Sequence, residues 1–238
     1  MIDAARVRHL MFDCYGTLID WEAGILRAIR PVLSVHGVRT SDEELLERYA
    51  RSEAAVESGT YRPYREVLDR VMESIGVSYG LRFESRERER LAASVGAWPA
   101  FPDTAQALAR LGERFTLTVV SNVDDDLFEG SRQRLESAGA RIDRLVSAQL
   151  CRSYKPSPRN FRVALALLDA PVESVLHVAQ SLYHDVAPAR QAGLTTAWIN
   201  RRRGKPGSGA TPAARGVMPD LELPDLRSLA DMLCGPTA

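Results

Sequence analysis

The sequence predicts an α/β protein: a doubly wound parallel sheet with an all-helical cap inserted after the first strand. Three observations carry the prediction. An apolar run from Val7 to Phe12 climbs to Asp13 and breaks at once into Gly16-Thr17, as a buried strand does when it delivers a carboxylate to the edge of a sheet. From Trp21 to Ser94 the patterning is helical, with no convincing strand. From Trp98 onward helix and strand alternate, which implies parallel strands joined by right-handed crossovers.

Taken in order, Glu22 to His36 puts Ile25, Leu26, Ile29, Val32 and Leu33 on one helical face, with Pro31 expected to bend or shorten the helix. Ser41 followed by Glu44 reads as a capping box opening a helix to about Ser58. Gly59 to Pro63 breaks the pattern, Tyr64 to Ile75 forms a helix stopped by Gly76, and Ser85 to Val95 one stopped by Gly96. Beyond the cap, helices are expected at 104–111, 127–138, 158–168 and 186–192, and strands at 115–120, 144–147, 174–179 and 195–199. Residues 201–219, rich in Arg, Gly and Pro, read as a surface loop; the run Arg201-Arg202-Arg203 suits phosphate, but a solvated loop is the simpler reading. Residues 220–223 suggest a last edge strand and 226–234 a closing helix. The expected division is a catalytic core of residues 1–17 and 99–238 and a cap of residues 18–98.

With 238 residues, 45% of them hydrophobic and 26% charged, the chain can bury a sizeable core of ordinary globular composition. Lysine plus arginine and aspartate plus glutamate both number 31, so no electrostatic footprint for nucleic acid or an acidic membrane surface follows from the charge balance. Attraction for an anionic substrate must be local. Cys14, Cys151 and Cys234 are odd in number and far apart, which argues against a disulfide framework or a zinc site and for a reducing compartment. The N-terminal apolar run is too short for a signal peptide, and no stretch approaches the ~18 apolar residues of a membrane span. A cytoplasmic protein is the expectation, with a homodimer left open.

Chemistry-bearing residues follow each core strand. Asp13 follows the first, Ser121-Asn122 end the second, Lys155-Pro156 follow the third, and Gln180-Ser181-Leu182-Tyr183-His184-Asp185 follow the fourth. Singly, each has a plain structural role as a turn former, a surface charge or a helix cap. Together they place a carboxylate, a hydroxyl, an amide, an ammonium and a second carboxylate at one sheet edge, where open α/β sheets bind ligands.

These residues resemble the four ordered motifs of the haloacid dehalogenase superfamily: Phe12-Asp13-x-Tyr15-Gly16-Thr17-Leu18, Val120-Ser121-Asn122, Tyr154-Lys155-Pro156, and a strand ending in an acidic loop. The resemblance spans essentially the whole chain and implies a Rossmann-like core with a helical cap inserted just after the first motif. Most members of that superfamily are magnesium-dependent phosphatases with an aspartate two residues beyond the nucleophile, acting as general acid, and an acidic metal ligand directly after the fourth strand. Here those positions hold Tyr15 and Ala179-Gln180. Both departures suit a halide leaving group, which needs no protonation, and the Asp-x-Tyr pattern, the Ser-Asn pair and Trp198-Ile199-Asn200-Arg201 are similar to the type II (L-2-haloacid) dehalogenases.

The resemblance implies hydrolytic dehalogenation of a short 2-haloalkanoic acid, without metal or cofactor. Asp13 attacks the halogen-bearing carbon and water then cleaves the resulting ester, giving a hydroxy acid inverted at that carbon. Lys155 is expected to hold Asp13 ionised and aimed, with contact to the substrate carboxylate as a second role. Ser121 and Asn122 would bind the substrate carboxylate or the halide, and Asp185 would orient water, with His184 a weaker candidate. Tyr15 is expected to line the pocket or pack under the cap. Ser181 and Gln180 stand where the dehalogenases carry other polar groups, so a substrate outside the usual short haloacids is compatible with the loop. By position Arg51, with Arg48 a turn away, is the candidate to grip the substrate from the cap, although an exposed helix arginine is the plainer reading of each. Two other readings stand beside this one: a magnesium-dependent phosphatase using Asp13 and Asp185, and a catalytically weak binding protein that keeps the fold.

Overall fold

In the computed structural model, which describes residues 4–236, one sheet runs in the order β3-β2-β1-β4-β5-β6 with every pairing parallel. The strands are β1 (His9–Phe12), β2 (Thr116–Ser121), β3 (Arg144–Ser147), β4 (Val175–Ala179), β5 (Thr195–Ile199) and β6 (Leu221–Leu223). From β1 the chain winds outward through β2 and β3, then crosses back to lay β4 on the other side of β1. That reversal creates the crevice, beyond the carboxyl ends of β1 and β4, in which doubly wound sheets bind ligands.

Side chains alternate across the sheet as the pleat requires. Leu10 and Phe12 join Leu117, Val119, Leu176 and Val178 in a core shared with α5 (Thr104–Gly112), α6 (Asp125–Ser137) and α10 (Leu226–Cys234). Met11, Val120, Val146 and Val175 face the opposite way, onto Phe161 and Ala164 of α8 (Pro158–Leu168) and Ala189 of α9 (Ala187–Gln191). A single turn, α7 (Ala148–Cys151), follows β3. Both faces are therefore covered, which is why the strands read as near-continuous apolar runs.

Four helices intervene between β1 and α5: α1 (Trp21–Val35), α2 (Asp42–Glu57), α3 (Tyr64–Ser78) and α4 (Ser85–Ser94). The chain leaves and re-enters the core at adjacent points, since Ile19 bridges Ala100, Asp20 N donates to Pro99 O at 2.7 Å and Phe101 N to Leu18 O at 3.1 Å. The first core cluster continues into these helices through Ile25, Leu33, Tyr49, Leu68, Val71 and Leu91. Among the described residues, no helix is long and apolar enough to cross a membrane.

Several local expectations need correcting. The first helix continues through Pro31 to Val35, and α3 passes Gly76, whose hydrogen faces the Phe83 ring, to end before Gly80 at φ +71°. Ser41 Oγ does cap Glu44 N at 3.1 Å, but the Glu44 carboxylate turns to Thr40 and Arg48. The reciprocal box forms at Glu84 and Glu87 instead. The loop 201–219 is not simply solvated. Arg201 donates to Thr17 O and pairs with Asp103 at 2.7 Å, Arg202 pairs with Glu22 at 2.6 Å, and Ala210 and Thr211 are buried.

Candidate active site

The site begins with a forced turn. Asp13 leaves β1 with its N–H still on Val178 O, and the Cys14 carbonyl then accepts from Thr17, Leu18 and Ile19. Gly16 reverses the chain at φ +97°, a conformation costly for any side chain. The turn carries Thr17 back beneath Asp13, so that its hydroxyl donates to Asp13 Oδ2 at 2.7 Å while accepting from Gln180 N at 2.9 Å. Thr17 thus ties the loop after β1 to the loop after β4.

Lys155 occupies the centre. Its ammonium, 1% exposed as a residue, donates to Asp13 Oδ1 at 2.8 Å, Asp185 Oδ1 at 2.7 Å and Val120 O at 2.8 Å. Those three acceptors use all three of its hydrogens. Asn122 fixes the lysine's backbone, accepting from Lys155 N at 2.7 Å and donating to Lys155 O at 3.0 Å, with its other amide hydrogen on Glu57 Oε2 at 3.2 Å. The asparagine therefore positions Lys155 as well as lining the cavity.

Asp185 lies on a wide turn after β4 in which Val186 N donates to Ser181 O. Its Oδ1 also meets His177 Nε2 at 2.9 Å, and its Oδ2 is buried with no partner in the protein. Burial works against the charged form of Asp185, but Lys155 and His177 hold its carboxyl below the ordinary value. Burial is the largest influence on Asp13 and raises its pKa, against the opposing pull of Lys155 and Thr17. Burial likewise opposes the charge on Lys155, and the two carboxylates overcome it and hold the ammonium well above its usual range.

The predicted residues Asp13, Tyr15, Ser121, Asn122, Lys155, Ser181, His184 and Asp185 line one cavity, joined by Trp21, Glu53, Tyr64 and Thr211. The chamber encloses about 30 Å³ and adjoins a cleft of about 380 Å³ that shares Lys155 and His184. Ser121 Oγ is buried without a partner. Tyr15 is among the chamber's lining residues, its ring set perpendicular to that of Trp98 with centroids 5.5 Å apart, and its hydroxyl meets Ser131 Oγ on α6 at 3.1 Å. Ser181 spends its hydroxyl on His184, whose ring burial holds neutral with a pKa lowered to about 4.

Two residues expected to contact substrate stand outside the chamber lining. Arg51 has a side chain 65% exposed, lies near Glu47 and is not among the residues lining the chamber; Arg48 is bonded to Glu44 and stacked over Tyr79. The face of α2 turned inward carries Leu46, Tyr49 and Glu53. Gln180 contributes its backbone to Thr17 and Trp198, while its side chain faces a separate groove near Thr211. Sequence reasoning missed Thr17, His177 and Glu53. The last had a visible signal, a glutamate four residues beyond Tyr49 on the apolar stripe of an otherwise charged helix.

A model of haloacid dehalogenase-like hydrolases matches residues 7–193. The chain belongs to that family. Among curated relatives it is 24% identical to (S)-2-haloacid dehalogenase 1 of Pseudomonas sp. (strain CBS-3), over 82% of this chain and 85% of the relative. It is 25% identical to a 5-amino-6-(5-phospho-D-ribitylamino)uracil phosphatase of Escherichia coli (strain K12), over 96% and 97%. The fold is that of the L-2-haloacid dehalogenase from Xanthobacter autotrophicus, with a TM-score of 0.78, 20% identity and coverage of 97% and 100%.

The phosphatase reading implies magnesium, which demands a near-octahedral set of oxygens and usually carboxylates. These residues do not fit that ion. The Lys155 ammonium fills the space between Asp13 and Asp185, Asp13 Oδ2 is taken by Thr17, and the position after β4 carries Gln180, whose amide group points elsewhere.

Proposed function

We propose that this hydrolase cleaves a carbon–halogen bond by covalent catalysis on Asp13. The observation that carries the reading is Tyr15: where a phosphatase needs a general acid beside its nucleophile, this chain has a phenol engaged with Ser131. Burial raises that phenol well above its usual range. A halide departs as a stable anion and needs no proton.

In the first step an Asp13 carboxylate oxygen bonds to the carbon and the halide leaves with the electron pair, forming an ester. In the second, water adds to the ester carbonyl at Asp13 Cγ. Asp185 Oδ2, the unpartnered buried acceptor, takes the water's proton. Lys155 and Thr17, already 2.8 and 2.7 Å from the two Asp13 oxygens, hold between them the carbonyl oxygen that becomes the oxyanion and the ester oxygen that leaves with the alcohol. Collapse regenerates Asp13 and releases an alcohol and a proton. Ser121 Oγ offers a hydrogen bond to the substrate or halide.

The 2-haloalkanoic acids named for the relatives are the reference substrates. Halide release from 2-chloropropionate, bromoacetate and fluoroacetate is to be measured with magnesium and with EDTA, beside para-nitrophenyl phosphate. Halide release that is insensitive to EDTA and absent in Asp13→Asn supports the reading. A single turnover in ¹⁸O-water should leave the label in Asp13. Phosphatase turnover abolished by EDTA overturns it, and silence in every assay, with cationic and neutral bromides included, favours a binding protein.

A further inference from the structure

The cap presents an acid to the chamber where a carboxylate substrate would need a base. Glu53, 4% exposed, lines the chamber with Asp13 and Asp185, so three carboxylates face one ammonium. That ammonium has no hydrogen to spare, because Lys155 already meets Asp13, Asp185 and Val120. The imidazole lining the chamber, that of His184, is held neutral by burial. A fourth buried carboxylate, arriving with the substrate, would find repulsion and no free cationic side chain.

Glu53 takes hydrogen bonds that favour its anion against the opposing effect of burial, so it is charged on the alkaline side of neutrality. Tyr49 and Tyr64 each donate to its Oε1 at 2.6 Å. Burial raises its pKa to about 7 while those two hydroxyls pull it down. Tyr15, Trp21 and Tyr64 line the same chamber. Aromatic faces around a buried carboxylate form a site for an organic cation, whose charge is attracted to both. Ser121 Oγ, 1% exposed as a residue and unpartnered, is an independent sign that this chamber takes a ligand.

We propose that the organohalide this chain hydrolyses carries an ammonium group in place of a carboxylate, with Glu53 as its counter-ion and Trp21 and Tyr64 as its aromatic walls. The inference rests on the dehalogenase reading and names the substrate class of that site. The chemistry is unchanged: Asp13 displaces halide from the carbon bearing it, water hydrolyses the ester, and an amino alcohol, halide and a proton leave.

The test compares three bromides at pH 8: (2-bromoethyl)trimethylammonium, neutral 2-bromoacetamide and anionic bromoacetate. Wild type is expected to favour the cation over bromoacetate by tenfold or more in kcat/KM. Glu53→Gln, with folding checked by thermal unfolding, should shift that ratio at least tenfold toward the anion. Preference for bromoacetate, or a ratio unmoved by the substitution, overturns the proposal and leaves the dehalogenase reading intact. If no bromide yields halide, the dehalogenase reading has failed, and calorimetry still decides the recognition: tetramethylammonium should bind wild type and bind Glu53→Gln at least tenfold more weakly. Binding of propionate, or no binding of tetramethylammonium, overturns it.

Discussion

Asp13 and Asp185 share a single ammonium, with Lys155 Nζ 2.8 Å from one carboxylate and 2.7 Å from the other. The two acids come from the loops after β1 and β4, so the lysine welds the two sides of the sheet's switch point. Lys155→Met should abolish turnover by at least ~10³-fold and leave two buried carboxylates uncompensated. Breaking such a pair costs about 3–5 kcal/mol, readable as a lower urea midpoint. Asp185→Asn in the same background should recover part of that stability and none of the activity. Failure to recover would show that the carboxylates do not repel through the vacated position.

Thr17 was not expected in the site, and its hydroxyl, like the Lys155 ammonium, is bonded to both Asp13 and the β4 loop. Thr17→Val keeps the shape and leaves Gln180 N without its acceptor. The expected loss is about 1–3 kcal/mol of stability and roughly 10- to 100-fold in kcat, in line with losing one oxyanion donor. An unchanged kcat with lowered stability would reduce Thr17 to a structural tie.

At the junction of cap and core, Gly96 and Gly130 touch backbone to backbone. A Cβ added to Gly130 would stand 2.6 Å from Gly96 Cα, and neither backbone can turn aside as a flexible side chain could. Gly130→Ala should cost about 1–3 kcal/mol by overpacking and lower Tm by several degrees. Gly139→Ala offers a comparison, since its added Cβ meets nothing within 4 Å and its penalty comes from φ +92° alone.

Glu53 and His184 make opposite contributions to the pH dependence of stability. Glu53, raised from 4.5 to about 7, keeps its proton in the folded chain where the unfolded chain has lost it, so its contribution falls as pH rises through that window. His184, lowered from 6.5 to about 4, is neutral in the folded chain while the unfolded chain takes up a proton, so its contribution falls as pH drops through that interval. Urea titrations from pH 4 to 8 should show Glu53→Gln steepening the rise of stability with pH and His184→Gln flattening it. Parallel curves for wild type and both variants would refute the two shifts.

Much of the fold was legible because it is encoded locally. Apolar runs such as Leu10-Met11-Phe12 and Leu117 to Val120 must be buried on both faces, and the residue that ends each run must emerge at the sheet edge. Asp13, Ser121 and Asp185 could therefore be assigned to one edge, and Lys155 assigned with them, before any contact was known. The wide turn at Leu182–Val186 explains why the acid stands farther from β4 than the resemblance led one to expect.

By itself, the sequence determined the doubly wound sheet, the helical insertion and the carboxylate–lysine pairing, because strand patterning and loop position depend on neighbours in the chain. Only the tertiary structure decided which side of α2 faces the chamber. Leu46, Tyr49 and Glu53 turn inward while Arg48 and Arg51 turn out, and a helix's rotation is set by packing against α3 and the core rather than by its own charges. Glu53 is held there by the hydroxyls of Tyr49 and Tyr64, the second of them on another helix. The cap's contribution to the chamber was thereby reversed in sign, from the expected arginine to an acid.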